Sequence, residues 1–195
     1  MEEVKELKSV LERVEGKLVV AEKAYAALNF AVWLTIMAGY YIVTAFTGSG
    51  MAVSIAYWLI GAGIGIYFTG KIWEMYLKLT ARDRRGGRKA GVGIALSWLV
   101  GSLSGWVVVP AVVHTTGDTL IGLSLLTFIS ISLLGQTLVV RDWESIPSFL
   151  LPAIAVPFLF SIHEGAAIWA GFVIAAGFGL TIVLYLYSAF KAIER

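Results

Sequence analysis

Two short polar breaks carry the groups best suited to chemistry in this chain: His114 with Asp118, and His163 with Glu164. The two histidines are its entire complement. Two imidazoles and two carboxylates could hold zinc and leave a position open for water, which the metal would acidify toward neutrality. Such a centre exists only if the pairs meet, and they belong to different loops. Polar residues are also the ordinary occupants of loops at a membrane surface. An outer-face, metal-dependent membrane enzyme is therefore an alternative reading, and the main expectation is a protein with no catalytic residue and no cofactor. The absence of cysteine removes thiolate chemistry, disulfides and Cys-based metal sites.

Other motif-like strings fail on context. Gly-Ala-Gly-Ile-Gly at 61–65 lies inside an apolar run, so it is no dinucleotide loop. Gly-Ser-Leu-Ser-Gly at 101–105 departs from the Gly-x-Ser-Gly of intramembrane rhomboid proteases, because its first glycine is one position too far away. No histidine at membrane depth is there to act as base. Gln136, one helical turn from Ser132, is read as a helix-to-helix hydrogen-bonding group. No Asp, Glu, Lys, Arg or His lies near the middle of any apolar run. Ionisable groups at that depth mark proton relays and ion pathways, so their absence argues against a proton-coupled carrier or a selective ion channel. Backbone carbonyls could still coordinate an ion.

The elements that would position these residues follow from composition. Of 195 residues, 58% are hydrophobic and only 14% charged, and the mean hydropathy is +0.83. Apolar runs are long enough to cross a bilayer as helix. Backbone groups in lipid must be satisfied within a segment, which selects helices, and no short alternating strands of a barrel occur. The expected fold is an all-α integral membrane protein with six transmembrane helices, about 27–46, 51–70, 90–113, 119–140, 146–162 and 165–190, forming one domain over 27–195 behind a helix at 1–26. The charged start contains no short apolar core with a cleavage site, so the first span is expected to act as an uncleaved anchor. The fifth span is short. Pro147 suits a helix start with Ser145 as cap, while Pro152 and Pro157 should kink or break it.

Cation placement sets the topology. Lys71, Lys78, Arg82, Arg84, Arg85, Arg88 and Lys89 fall between spans two and three, and the remaining Lys and Arg lie in the N-terminal arm, at Arg141 and at the C-terminus. The three alternate loops have none. The positive-inside rule then predicts a multi-pass plasma-membrane protein with both termini cytoplasmic. Arg82, Arg84, Arg85, Arg88 and Lys89 could also attract anionic headgroups or a protein partner. A loop held against a bilayer is a poor nucleic-acid site.

Residues 2–26 read as a cytoplasmic amphipathic helix. Val4, Leu7, Leu11, Val14, Leu18, Ala21, Tyr25 and Leu28 recur at alternating threes and fours. With Val4 at position a, Glu3 and Lys8 occupy g and the following e, as do Lys17 and Glu22. That charge order suits a parallel two-stranded coil. Gly16 falls at the outward f position, where it weakens the helix by about 1 kcal/mol. The other reading is a helix lying on the membrane or on this protein's own loops.

Within the membrane, small residues let backbones approach. Gly61 and Gly65 in span two, Gly93, Ser97, Gly101 and Gly105 in span three, and Ala167, Gly171, Ala175 and Gly179 in span six form three such seams, so spans three and six are expected to be central. Ala-Gly-Ile-Gly-Ile at 62–66 also echoes Ala-Gly-Phe-Gly-Leu at 176–180, as an internal repeat would.

In layout the chain resembles the membrane subunits of ABC-2 type exporters, which have a cytoplasmic amphipathic helix before six spans, a contact loop between spans two and three, and a broken fifth span near the outer face. The resemblance implies a non-catalytic transmembrane subunit of a transport system, a homo-oligomer whose 71–89 segment docks a cytosolic ATPase and whose cargo is apolar or amphipathic. An oligomeric membrane scaffold or regulatory protein without cargo is the alternative.

Overall fold

The computed structural model describes every residue except Met1, Ser49, 81–83, His163, Glu194 and Arg195, and within helices it leaves out the side chains of residues 2, 3, 9, 12, 13, 51, 79, 80 and 84–88. The described residues form helices and no strand: α1 (Glu2–Thr47), α2 (Met51–Thr80), α3 (Arg84–Leu103), α4 (Val109–Val112), α5 (Gly117–Val140), α6 (Ile146–Ala155) and α7 (Ala166–Ile193). Among them are six helical stretches long and apolar enough to cross a membrane: Val14–Thr47, Ala52–Lys78, Lys89–Val112, Gly117–Val140, Trp143–Ser161 and Ala166–Ile193. The protein is thus an all-helical, multi-pass membrane protein.

The chain forms two compact units, Met1–Arg82 with Ile182–Arg195, and Asp83–Thr181. In the first, α1 and α2 make an antiparallel hairpin. The arm and the first span are one helix, with no break near residue 26. Glutamate, lysine, alanine and leucine, all strong helix formers, make up sixteen of the twenty-five residues 2–26, and no proline interrupts them. The segment 71–89 is likewise mostly helix. Lys71 and Lys78 ride on the last turns of α2, and both bond Glu74, at 3.5 and 2.9 Å. Residues 84–89 open α3, leaving only 81–83 between the two helices.

The hairpin is held by matched notches. Ile36 and Trp33 on α1 fill the spaces over Gly61 and Gly65, where an added Cβ would come within 2.9 and 2.8 Å of them. In return the Tyr57 hydroxyl sits in the notch over Gly39 and donates to the Ile36 carbonyl at 2.7 Å. Tyr40 stacks near Tyr41, Tyr57 and Trp58, with ring centroids 5.4–5.6 Å apart. These aromatic residues cap the turn end of the hairpin as an interfacial belt would. Phe30 and Tyr185 of α7 also meet in this unit, at 6.0 Å.

In the second unit α5 is the enclosed element: 44% of its apolar window is buried, against 11% for the α3 span. Span three is therefore peripheral, contrary to the sequence expectation. Its small residues mark one intimate contact, and its other faces point outward.

The α3–α4 span is not a plain α-helix. Ser104–Val108 form a π-turn in which the Val109 N–H bonds the Ser104 carbonyl, five residues back. Pro110 explains it. A proline cannot donate to the carbonyl four residues earlier and its ring collides with it, and the wider turn absorbs both defects. The fifth span is α-helical only over Ile146–Ala155 and continues as 3-10 helix over Val156–Ser161. Pro152 is accommodated, and the change comes at Pro157. Ser145 does occupy the cap position of α6, but its hydroxyl makes no cap hydrogen bond.

Candidate functional site

The expected metal residues do not assemble among the described residues. His114 is exposed in the loop after α4, its Nδ1 3.1 Å from the Val112 carbonyl. Asp118 sits in the first turn of α5, where the helix dipole favours a carboxylate. Glu164 is exposed, and His163 lies outside the described residues. No three described His, Asp or Glu side chains gather to hold a metal ion. Of the basic set, Arg82 is outside the described residues, and so are the side chains of Arg84, Arg85 and Arg88. Lys89 is exposed near the start of α3.

What the second unit does build is a close seam between α3 and α5. Two serines interlock reciprocally. The Ser132 side chain fills the space over Gly101, and the Ser97 side chain fills the space over Gly135, where an added Cβ would lie 2.6 Å from the Ser97 hydroxyl. Val139 covers Gly93, where an added Cβ would lie 3.0 Å from its side chain. At Gly105, beside the π-turn, an added Cβ would meet the Ser124 carbonyl at 2.5 Å. Backbone against backbone gives dispersion contact that larger residues would prevent. Trp98 locks the register, its Nε1–H donating to Gln136 Oε1 at 2.9 Å, with its ring 5.6 Å from Phe128. Gln136 thus plays the cross-helix role read from the sequence.

α6 and α7 pack with the same economy of side chain. A Cβ added at Gly122 of α5 would come within 2.9 Å of the Ala166 carbonyl, and one added at Gly177 of α7 within 2.8 Å of the Pro147 carbonyl. On α7 the buried positions of this unit include Ala166, Ala170, Gly171, Ile174, Gly177, Phe178 and Thr181. That face is displaced from the expected Ala167–Gly171–Ala175–Gly179 line. Only Gly171 of that line is buried, and an added Cβ at Gly179 would meet open space. The two glycine strings are also used differently. Gly65 is the packed member of its string and Gly63 faces open space, whereas Gly177 is packed and Gly179 is open.

Polar groups are tied down locally. At the α5–α6 corner, Arg141 ends α5 in the left-handed conformation. Thr137 and Ser145 share a hydrogen bond of 2.7 Å, Ser145 donates to the Asp142 carbonyl at 2.6 Å, and Ser148 donates to the Ser145 carbonyl at 2.6 Å. The hydroxyls of Ser132 and Thr181 are buried without a hydrogen-bond partner. In the hairpin, Trp33 donates to Thr69 at 3.1 Å and Thr69 to Asn29 at 2.7 Å. Asn29 and Thr69 are polar groups that the sequence reading did not single out; their pairing is visible only in the folded hairpin.

Comparison with known protein families, characterised proteins and solved structures finds no match to this chain.

The Trp98–Gln136 bond makes a measurable prediction. Trp98→Phe and Gln136→Leu should each lower stability by about 1 kcal/mol, the scale of interhelical hydrogen bonds in membranes. Because they break one interaction, the double variant should lose little more than either single variant. Unfolding titrations of all four proteins in detergent check this, and fully additive losses would show the two groups to be independent.

Proposed function

We propose that the protein is the non-catalytic transmembrane subunit of a transport system that handles an apolar or amphipathic solute. The observation that supports this reading best is the pair of non-α segments in one unit, the π-turn at Ser104–Val108 and the 3-10 stretch at Val156–Ser161. Both fall at the ends of their spans remote from Lys89 and Arg141. Interrupted helices are a recurring feature of transporters. With no ionisable side chain at mid-span in the sequence, the solute that suits such a unit carries its own apolar surface.

In this reading both termini and the basic segment face the cytoplasm, the protein resides in the plasma membrane, and the segment 71–89 docks a cytosolic ATP-hydrolysing partner, as the exporter-like layout implies. Arg84, Arg85, Arg88 and Lys89 would also meet anionic lipid headgroups. An oligomeric scaffold without cargo is the second reading. The α3–α5 seam favours it, since reciprocal serine–glycine packing leaves no passage between those helices. Purification in a gentle detergent with mass spectrometry separates the two. The transport reading expects an ATPase to co-purify and to be lost when Arg84, Arg85 and Arg88 are changed to Gln. Recovery of the protein alone, as a homogeneous assembly, overturns it in favour of the scaffold.

A further inference from the structure

We infer that α1 is a homodimerisation helix, pairing in parallel with α1 of a second copy along one stripe that runs from the arm into the membrane. The stripe starts on the arm. Val4, Leu7, Leu11 and Val14 occupy consecutive a and d positions and are 71%, 62%, 60% and 49% exposed. Leu18, Ala21 and Tyr25 continue it as half-buried residues. Extending the same register up the helix reaches Leu28 at d, Val32 at a and Thr35 at d. These three line an open apolar groove of about 280 Å3, whose far wall is Ile64 and Phe68 of α2. The helix is uninterrupted across the whole distance. One heptad register therefore accounts for two features of separate origin, the bare leucines of the arm and the groove in the membrane.

Three arguments commit the stripe to a second copy. The first is charge. Lys17 at g and Glu22 at e flank the seam five residues apart, the spacing at which g of one strand meets e of a parallel partner. Glu22 also accepts from the Tyr76 hydroxyl of α2 at 3.3 Å through Oε1, which leaves Oε2 for the partner's lysine. The sequence register sets Glu3 against Lys8 in the same way. A helix from an unrelated protein has no reason to carry that complement, whereas an identical strand always does. The second is geometry. Two copies inserted in one bilayer share their orientation and the depth of their first spans, so their α1 helices are parallel and in axial register before they touch. That is the arrangement in which a meets a and d meets d. The third is shape. A strict seven-residue stripe drifts about 20° per heptad around a straight helix, so it serves a partner that winds with it. In the groove, Leu28 and Val32 of the partner subunit would fill the space against Ile64 and Phe68.

The test uses the full chain in native-like membranes, where the lack of cysteine makes single substitutions unambiguous. Leu7→Cys and Val14→Cys at d positions, and Lys5→Cys at the outward b position, are oxidised mildly and run on denaturing gels. Both d variants should give a disulfide-linked dimer at least ten-fold more efficiently than the b variant. Adding Leu11→Glu should abolish the dimer while the protein remains monodisperse in detergent. Equal cross-linking at b and d overturns the inference. So does the absence of dimer at both d positions in folded protein, and so does a cross-link from d to a different protein only, which would give the stripe to a foreign helix.

Discussion

Replacing Gly101 with leucine is expected to collapse the α3–α5 pair. The position leaves no room even for a methyl group: its Cβ would run into the Ser132 hydroxyl, and the Phe128 carbonyl and the Ser132 nitrogen stand 2.8 Å away. Two of these three atoms are backbone, so rotamer changes cannot clear the space and α3 must move off α5. Displacement would also separate Trp98 from Gln136 and Ser97 from Gly135. Overpacking in close-fitted cores costs about 1–3 kcal/mol and sometimes more, and here the upper end applies. In a chain of this size, about 3 kcal/mol lowers the melting temperature by roughly 10 °C. Gly63→Leu and Gly179→Leu provide the matched controls. Each adds the same side chain to the same type of helix, and at neither position would the added Cβ meet an atom within 4 Å. Melting in detergent, followed by fluorescence-detected size exclusion, should place both controls near the wild type and Gly101→Leu well below it. Equal losses at all three sites would mean that glycine is needed for some reason other than this contact.

The second large effect is in labelling. Lys5→Cys and Lys89→Cys lie on segments rich in cations, and Gly48→Cys and Thr116→Cys on turns free of them. In intact cells a membrane-impermeant maleimide should label the latter pair strongly and the former pair only after the cells are opened. In the proposed topology the contrast is all or none, because a hydrocarbon layer about 30 Å thick would stand between the two sets. Labelling of Lys89→Cys from outside would invert the topology, and with it the placement of the basic segment beside a cytosolic partner.

The six spans were legible because hydropathy survives ignorance of packing: a run of apolar residues must avoid water whatever its neighbours are. The glycine seam of α3 was legible for a similar reason, since four small residues at four-residue intervals have few other uses. The same pattern misled on α7. There two adjacent small-residue lines compete, and which one packs depends on the neighbour, so the buried line through Ala166, Ala170 and Ile174 could not be chosen over the one through Gly179. Gly39 and Gly135 were invisible for want of a known partner, because each is a notch only relative to Tyr57 or Ser97. Pro110 was a readable signal for the π-turn, since a proline deep in an apolar run must disturb the carbonyl four residues before it. The proposed metal residues show the limit from the other side. Histidines and carboxylates in separate loops reveal chemistry only when a fold brings them together.

The unbroken first helix also sets a stand-off distance. At about 1.5 Å per residue, the twenty-five helical residues from Glu2 to Ala26 reach roughly 37 Å. In the proposed reading, where residues 2–26 stand outside the lipid, anything that grips the amino-terminal tip is kept about a small domain's diameter away from the membrane. Each residue inserted into that rod would lengthen the gap by about 1.5 Å and swing the tip about 100° around the axis, so the length of the rod determines both how far away a visitor stands and which way it faces.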